Sequence, residues 1–539
     1  MTKQTFIKGA MILLAAGILN RILGFVPRIV LPRIIGAEGV GLYQLSFPFL
    51  GVLLTVITGG IPLAVAKWIA EAESKGDTRR VGHIFRAAMA LTLILAFLTT
   101  AGLLAFAPWI TSHLLTDSRV YQTFLFMTPM LFIVGLSSVY RGYFQGKQNM
   151  VPTAVSQVVE TLIRIGGQLL IATALLPLGL EWAAAGAMLG VVAGEVGGLA
   201  VLLYQYRKAK RRDQSELESP GSSGAAANDN AVPGNNPPPN APAARKRRVP
   251  IVRRLLGLSI PVTASRMVGS LSYLLETILT SRALLAAGIA TGSATAQYGS
   301  LQGMIIPLIL LPTALTYSLA VSLVPSLAEA AARGDRIAIH KRLHQSMRLA
   351  LVTGAPCVVV MGLLAEPLCR VLYDHGDIAP MLQLLAPFGL FIYLQAPLQA
   401  ALQALDKPGT ALMNTFVGAV VKLYLITELT SRPELGIYGT VIAIGVNIVL
   451  VTLLHAFSVA RFVGFRMKLP DFVKVGAAMI VMGAACRLLM NRGGLPAEWL
   501  SLAAACFAGT VIYLLLMIAM GIIDRYDVAR IPLLGRWFK

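Results

Sequence analysis

The stretch Ile69–Asp77, IAEAESKGD, recurs as LAEAAARGD at Leu327–Asp335, which is 258 residues further along the chain (327 minus 69). The same spacing aligns further identical or similar residues: Gln44 with Gln302, Pro129 with Pro387, Gln145 with Gln403, and Arg164 with Lys422. A register kept over such a distance indicates an internal duplication. We therefore interpret most of the chain as two parallel repeats.

The composition places these repeats in a membrane. Of 539 residues, 56% are hydrophobic and only 13% are charged, and the mean hydropathy is +0.72. So little polar surface could not cover so much apolar volume in water. Apolar runs of about 20 residues, the length that crosses a bilayer, predict about fourteen transmembrane helices. The runs are 6–28, 40–66, 84–108, 121–144, 151–176, 182–206, 251–281, 294–325, 345–368, 378–404, 410–427, 436–460, 470–490 and 497–522.

The predicted fold is an all-α polytopic membrane protein with two parallel six-helix lobes and two C-terminal helices. We assign residues 1–206 to the N-terminal lobe, 251–462 to the C-terminal lobe, and 463–539 to helices 13 and 14 with a basic tail. Residues 207–250, which include SSGAAANDNAVPGNNPPPNAPAA, are predicted to be a disordered cytoplasmic linker because they cannot form a core. Transporters built from parallel repeats bind substrate between the halves. A duplicated scaffold without transport is the alternative.

The basic residues predict the orientation. The formal net charge is +21, and in a topology that starts inside, most of the 46 Lys and Arg fall on the inner side. This asymmetry follows the positive-inside rule, so both termini are predicted to lie in the cytoplasm and the chain to lie in the cytoplasmic membrane. Because the charge is explained by topology, nucleic acid is not expected as a partner. The four cysteines lack metal-ligand spacing and are expected to be packing residues.

Charged residues inside the apolar segments are the candidate functional residues. Each costs about 2.5–3.5 kcal/mol at the bilayer centre, so each needs a reason to be there. Arg21 and Arg28 are seven residues apart and have no acid within one helical turn, so they favour a water-filled cavity that receives an anion. For Arg28, snorkelling to the outer headgroups is the alternative. Arg266, also without a nearby acid, is expected to face Arg21 from the second lobe.

The remaining buried charges suggest ion pairs. Glu160 and Arg164 are four apart on one helix and are predicted to form a structural bridge. Glu276 and Lys422 either pair between helices or belong to an ion-coupling site. Glu195, in GEVGG, receives no role. We find no pattern typical of a catalytic or metal site, so an enzyme is not expected.

One long motif carries a resemblance to a known family. SSVYRGYFQGKQNMVPTAVSQVVETLIRI, Ser137–Ile165, resembles the stage V sporulation protein B group of polysaccharide biosynthesis membrane proteins. That group is related to the MurJ lipid II flippases and belongs to the superfamily that also holds the MATE exporters. NRILGFVPR (Asn20–Arg28) and LQALDKPGTALMN (Leu402–Asn414) also resemble signatures of the group.

The resemblance implies a flippase or exporter for a polyprenyl-pyrophosphate-linked saccharide, a cell-wall or spore-cortex precursor, that works by alternating access. It implies a cationic substrate site at Arg21, Arg28 and Arg266, and a groove at helices 13 and 14 for the lipid tail. No cofactor is expected, and coupling to the membrane potential, H⁺ or Na⁺ stays open. Membrane lipids and cell-wall synthases are the expected partners. The alternatives are a MATE-like cation-coupled exporter of small molecules and a non-transporting scaffold for cell-wall synthesis.

Overall fold

The chain is helical throughout the residues described by a computed structural model, which are 6–218, 250–465, 467–491 and 497–522. No strand occurs in these ranges, and the predicted all-α membrane fold is confirmed. The helices are α1 (Phe6–Leu23), α2 (Phe25–Thr58), α3 (Ile61–Ser74), α4 (Thr78–Trp109), α5 (Val120–Gly146), α6 (Val151–Leu175), α7 (Leu180–Glu218), α8 (Ile251–Ala286), α9 (Thr291–Gly299), α10 (Ile306–Leu310), α11 (Thr313–Ala332), α12 (Arg336–Leu363), α13 (Ala365–Tyr373), α14 (Ala379–Ala404), α15 (Pro408–Thr430), α16 (Ile437–Val463), α17 (Leu469–Asn491) and α18 (Glu498–Ala519).

Every predicted apolar segment falls on one or more of these helices, but some segments are merged or divided. Among the described residues, 11 stretches are long and apolar enough to span a membrane, and the first, Met11–Ser74, contains two predicted helices. It bends inside α2 at Gly36, whose φ of 66° is readily adopted only by glycine. The predicted helix 294–325 is divided into α9, a π-helical turn at Ser300–Ile305, α10 and α11.

Helix boundaries recur at the spacing seen in the sequence. Gly76 and Gly334 follow α3 and α11 with φ of 69° and 67°. The next residues, Asp77 and Asp335, cap α4 and α12, and each carboxylate accepts a 2.9 Å hydrogen bond from the backbone N–H three residues later. The duplicated sequence motif is therefore a duplicated helix–turn–helix corner.

The order of packing also recurs. Helices α3, α4 and α5 pack against one another, as α11, α12 and α14 do, and α6 packs on α7 as α15 does on α16. Helices α17 and α18 pack together and lie against α12 and α13. The assignment of two lobes with these boundaries stays a prediction. Helix α7 continues to Glu218, beyond the predicted lobe boundary at 206, and residues 219–249 of the predicted linker lie outside the described residues.

The two halves meet at one end of the bundle through a reciprocal glycine contact. A Cβ on Gly41 of α2 would lie 2.0 Å from the backbone oxygen of Thr295, and a Cβ on Gly299 of α9 would lie 2.2 Å from that of Ala37. Gly41 corresponds to Gly299 in the repeat register, and Ala37 corresponds to Thr295. Each half therefore offers the other the same surface, as across a two-fold axis. We call this contact the closed end.

Candidate functional site

Arg21 and Arg28 lie on either side of a one-residue interruption. Helix α1 ends at Leu23 and α2 begins at Phe25, but Gly24 keeps near-helical angles (φ −65°, ψ −10°) and its N–H donates to the Asn20 oxygen at 2.8 Å. The two arginines therefore stay about two turns apart. Both side chains are exposed. An exposed guanidinium in an apolar segment is favoured by water, headgroups or an anionic ligand around it.

Arg28 lies where the two halves meet. Its charge is close enough to act on the hydroxyl groups of Tyr43 on α2, Tyr273 on α8 and Tyr373 at the end of α13. Two of these helices belong to the second half, whereas Arg21 lies on α1, which packs along α6 of the first half. The structure thus places Arg28 between the halves and Arg21 on the N-terminal side.

Arg266 is exposed on the part of α8 that packs along α2. Ser270, one turn after Arg266, has its hydroxyl 2.8 Å from that of Thr55 on α2. On the N-terminal side of Arg266, the Thr263 hydroxyl would lie 2.7 Å from a Cβ on Gly59. The three candidate arginines therefore lie on α1, α2 and α8. The predicted approach of Arg266 to Arg21 stays a prediction, because the contacts near Arg266 are with α2.

Glu276 and Lys422 form a buried ion pair between α8 and α15. The Lys422 ammonium lies 2.5 Å from one Glu276 oxygen, and the Gln302 amide donates to the other at 2.9 Å. Both carboxylate oxygens are thus occupied, which is the condition under which a buried charge is tolerated. A bound cation would have to share this carboxylate with Lys422 and Gln302. Gln302 lies on the π-helical turn, and sequence reasoning did not connect it with Glu276.

Glu160 has two arginine partners. Its Oε1 lies 3.8 Å from Arg164, four residues further along α6, and its Oε2 lies 2.7 Å from Arg141 on α5. The predicted Glu160–Arg164 bridge is therefore present but long, and the short contact is with a residue that sequence reasoning missed. No local pattern signalled this contact, because Arg141 lies 5 residues before the end of α5 and Glu160 lies 9 residues after the start of α6.

A polar network fastens the closed end. Arg119, between α4 and α5, contacts Asp117 at 2.7 Å and Glu38 at 2.6 Å, and Thr295 of α9 donates to Asp117 at 2.9 Å. Burial alone would raise the pKa of Asp117, but hydrogen bonds from Arg119 and Thr295 together with the Arg119 charge outweigh it, and the pKa lies below its ordinary value. Asp117 is therefore ionised at neutral pH and joins the two halves.

A second contact fastens the same end. Arg33 of α2 donates to the carbonyl oxygens of Val371 and Leu372, the latter at 2.8 Å, at the C-terminal end of α13. These carbonyls have no partner within the helix and carry its negative dipole end, so a guanidinium is well placed there. Neither network was predicted from the sequence, because each joins residues that are far apart along the chain.

Apolar surfaces lie around this polar interior. A cavity of about 350 Å³ lies between α2, α4 and α8, lined by residues such as Phe49, Leu103 and Leu274. A second, of about 510 Å³, lies beside α14 and α16 near the start of α17 and includes Phe457 and Phe465. Large apolar side chains are exposed along α17 and α18: Val473, Ile480, Phe507 and Leu515. Acyl chains are the solvent that such surfaces fit.

Comparisons with known proteins agree with this architecture. A profile of the family described as "Polysaccharide biosynthesis protein" matches residues 6–331. The chain is 39% identical to "Stage V sporulation protein B" of Bacillus subtilis (strain 168), with 99% of both chains covered. It is 25% identical to "Lipid II flippase MurJ" of the same organism, over 89% of this chain and 86% of that protein.

Among solved structures, "Lipid II flippase MurJ, inward closed conformation" superposes with a TM-score of 0.66. The alignment covers 94% of this chain and 98% of that chain at 14% identity. At such low identity the likeness shows the fold and nothing about the ligand. It does show that a polytopic helical arrangement of this kind accounts for nearly the whole chain.

Proposed function

The chain belongs to the polysaccharide biosynthesis protein family, as the motif at Ser137–Ile165 predicted, and we propose that it is a flippase for a lipid-linked saccharide. It is a multi-pass membrane protein. Its cargo is a polyprenyl-pyrophosphate-linked saccharide, a lipid II-like precursor of the cell wall or spore cortex. The proposed mechanism is alternating access between the two halves.

The observation that carries this proposal is the set of three exposed arginines on α1, α2 and α8. Arg28 lies between the halves, where an alternating-access protein holds its ligand. Guanidinium groups bind phosphate oxygens through paired, charge-assisted hydrogen bonds. A pyrophosphate carries the opposite charge and would offset the cost of keeping these arginines inside a membrane protein.

The lipid tail of such a cargo need not leave the bilayer. Only the pyrophosphate and saccharide require a polar path, and the apolar chain can follow the outer surface of the bundle. The apolar cavity between α2, α4 and α8 lies beside the helices that carry Arg28 and Arg266. The exposed apolar face of α17 and α18 offers a further surface for the tail.

The closed end assigns this structure to one stage of the proposed transport cycle. The predicted topology puts α2 and α9 at the outer face where they cross, so this structure represents a state closed to the outside. Release of the headgroup outside would require the Gly41–Gly299 contact, the Asp117 network and the Arg33 contact to separate. Separation would also expose apolar side chains, because Phe25 and Ile29 of α2 pack against the buried apolar core of the second half.

A MATE-like exporter of cationic molecules is the alternative transporter, and the positive charge of the candidate site argues against it. A scaffold for cell-wall synthases would not need an exposed arginine such as Arg28 between the halves. The proposal includes both termini in the cytoplasm and assigns no catalytic residue.

The direct test uses purified protein in lipid vesicles that contain a polyprenyl-pyrophosphate disaccharide on one side. Headgroups moved to the other leaflet become protected from a membrane-impermeant reagent. We expect protection to increase with time only in vesicles that contain the protein. Native mass spectrometry of the same preparation should show the polyprenyl lipid bound. Folded protein that neither binds nor moves this lipid would contradict the proposal.

A further inference from the structure

Two acidic residues lie close together where α6 and α7 of the first half pack against each other. Glu195 of α7 follows Gly194, and a Cβ on Gly194 would lie 2.7 Å from the backbone oxygen of Glu160 on α6. Only 8% of Glu195 is exposed, and its Oε2 is buried without a hydrogen-bond partner. Close approach of these helices is permitted by glycine, since a Cβ on Gly198 would lie 3.1 Å from the Cβ of Glu160.

The burial of Glu195 favours a proton on it. Its Oε2 is buried and receives no hydrogen bond, and a buried carboxyl group without a partner favours its neutral form. A second negative charge on the helix next to Glu160 would also be repelled in a site with little water. In this state Glu195 therefore holds a proton.

The surrounding charges make this proton releasable. Arg141 of α5 and Arg164 of α6 both act electrostatically on Glu195 as well as on Glu160. With a proton on Glu195, the four groups carry a net charge of about +1, and loss of the proton makes the cluster neutral. Among the helices packed against α6 and α7, α1 carries Arg21 and α2 carries Tyr43, whose hydroxyl lies within electrostatic range of Arg164.

Once Glu195 is deprotonated, a guanidinium partner is available to it. The Nε of Arg141 is buried without a hydrogen-bond partner, as is the Oε2 of Glu195. Once Glu195 is ionised, repulsion from Glu160 and attraction to the arginines both favour its turning towards a guanidinium. Protonation and release would therefore switch Glu195 between an arrangement without a guanidinium partner and one with such a partner, which is a two-state element that a transport cycle can use.

We propose that Glu160 and Glu195 form a proton-binding pair that makes H⁺ the coupling ion of this transporter, an inference that rests on the proposed flippase function. The step is a proton transfer between a carboxyl group and water, with no other bond made or broken. Helix α6 carries Glu160 and packs against α1, which carries Arg21. A change in the pair therefore acts on a helix that neighbours the proposed cargo site.

Proton binding is tested first, without cargo. Infrared difference spectra of the protein in lipid nanodiscs, recorded between acidic and alkaline pH, should show the carbonyl stretch of a buried protonated carboxyl group. Glu195→Gln should lose this band while the protein remains folded by thermal melting. Glu428→Gln, at an exposed position near the end of α15, should retain it. A wild-type spectrum without a buried titrating carboxyl group would overturn the proposal.

Coupling is tested next in vesicles with an imposed pH difference. The pH difference should change the rate of headgroup transfer by the wild type, and a protonophore should abolish that change. Glu195→Gln should transfer headgroups at the same rate with and without the pH difference. If the variant keeps the wild-type response, the pair is not the coupling site.

The two proposals can fail separately. If the wild type shows the titrating band but moves no headgroup, the flippase function and its coupling are wrong, whereas the proton-binding pair is supported. If headgroups move at a rate that no pH difference alters, the flippase function stands and coupling through this pair is wrong.

Discussion

At the scale of single residues, the buried Glu276–Lys422 pair gives a sharp stability test. Lys422→Met removes the cation and leaves the carboxylate with Gln302 alone, so we expect a loss of roughly 3–5 kcal/mol in the free energy of unfolding. The double variant Glu276→Gln with Lys422→Met should recover part of that loss because no unpaired charge remains. Chemical denaturation of the purified protein in detergent measures both.

The control for this test is Arg333→Ala. Arg333 pairs with Glu329 at an exposed site, where such pairs are worth about 0–1 kcal/mol. If Lys422→Met denatures as Arg333→Ala does, the buried pair does not stabilise the protein as described.

Glu160 allows a comparison of two arginines around one acid. Arg141 lies at 2.7 Å with its side chain 20% exposed, whereas Arg164 lies at 3.8 Å and is 30% exposed. The contact with Arg141 is shorter and more buried, so it should contribute more to stability. Arg141→Met should therefore lower the melting temperature more than Arg164→Met. Thermal melting of the two variants side by side decides the order. A larger effect at Arg164 would mean that the bridge within α6 dominates.

Sequence reasoning identified the buried charges but not most of their partners. A charge in an apolar run is visible from the letters alone, which is why Glu160, Glu195 and Glu276 were all found. Partners on other helices depend on how those helices are rotated and offset, which no local pattern encodes. Arg141 and Gln302 were missed for this reason, while Lys422 could be considered because it is itself a charge in an apolar segment.

At the scale of helices, the crossing of α2 and α9 depends on the absence of side chains. Gly41→Ala would place a methyl group on the Thr295 carbonyl, and the equivalent change at Gly299 would place one on Ala37. Backbone cannot move aside as a flexible side chain can, so either variant should force the helices apart and open the closed end.

Spin labels on exposed Ser118 and Ser293 measure this opening, because the first lies between α4 and α5 and the second on α9. The distance between the labels should increase in Gly41→Ala. Gly51→Ala is the matched control on the same helix, since nothing lies within 4 Å of a Cβ there. An unchanged distance in Gly41→Ala, equal to that in the control, would show that the crossing is not closely packed.

The helices themselves were predictable, and their interruptions were not. The length of each apolar run can be read from the sequence and predicts where a helix crosses the membrane. Gly36 bends α2 in the middle of an apolar run, yet it is one of 50 glycines and nothing local distinguishes it. The repeat also extends to the backbone conformation, which the sequence did not predict. Gln148 and Asp406 occupy equivalent positions in the two repeats, and both have φ of 57°.

At the scale of the whole molecule, the positive-inside bias predicts which end of the helical bundle faces the cytoplasm. In a variant lacking the four native cysteines, Ser118→Cys should react with an impermeant maleimide in intact cells. Ser74→Cys, at the end of α3, should react only after the cells are permeabilised. The reverse pattern would invert the protein in the membrane, and the closed end would then face the cytoplasm.

The central claim is that exposed arginines inside this membrane protein bind an anionic headgroup, and transfer by Arg21→Ala tests it most directly. In vesicles, this variant should move the polyprenyl-pyrophosphate headgroup at least about tenfold more slowly than the wild type, because a charge-assisted contact contributes more than about 1.4 kcal/mol. Arg21→Lys should recover only part of the rate, since an ammonium lacks the paired donors. Arg333→Ala should match the wild type. Normal transfer by Arg21→Ala, or a loss explained by unfolding in a parallel melting curve, would contradict the cationic site.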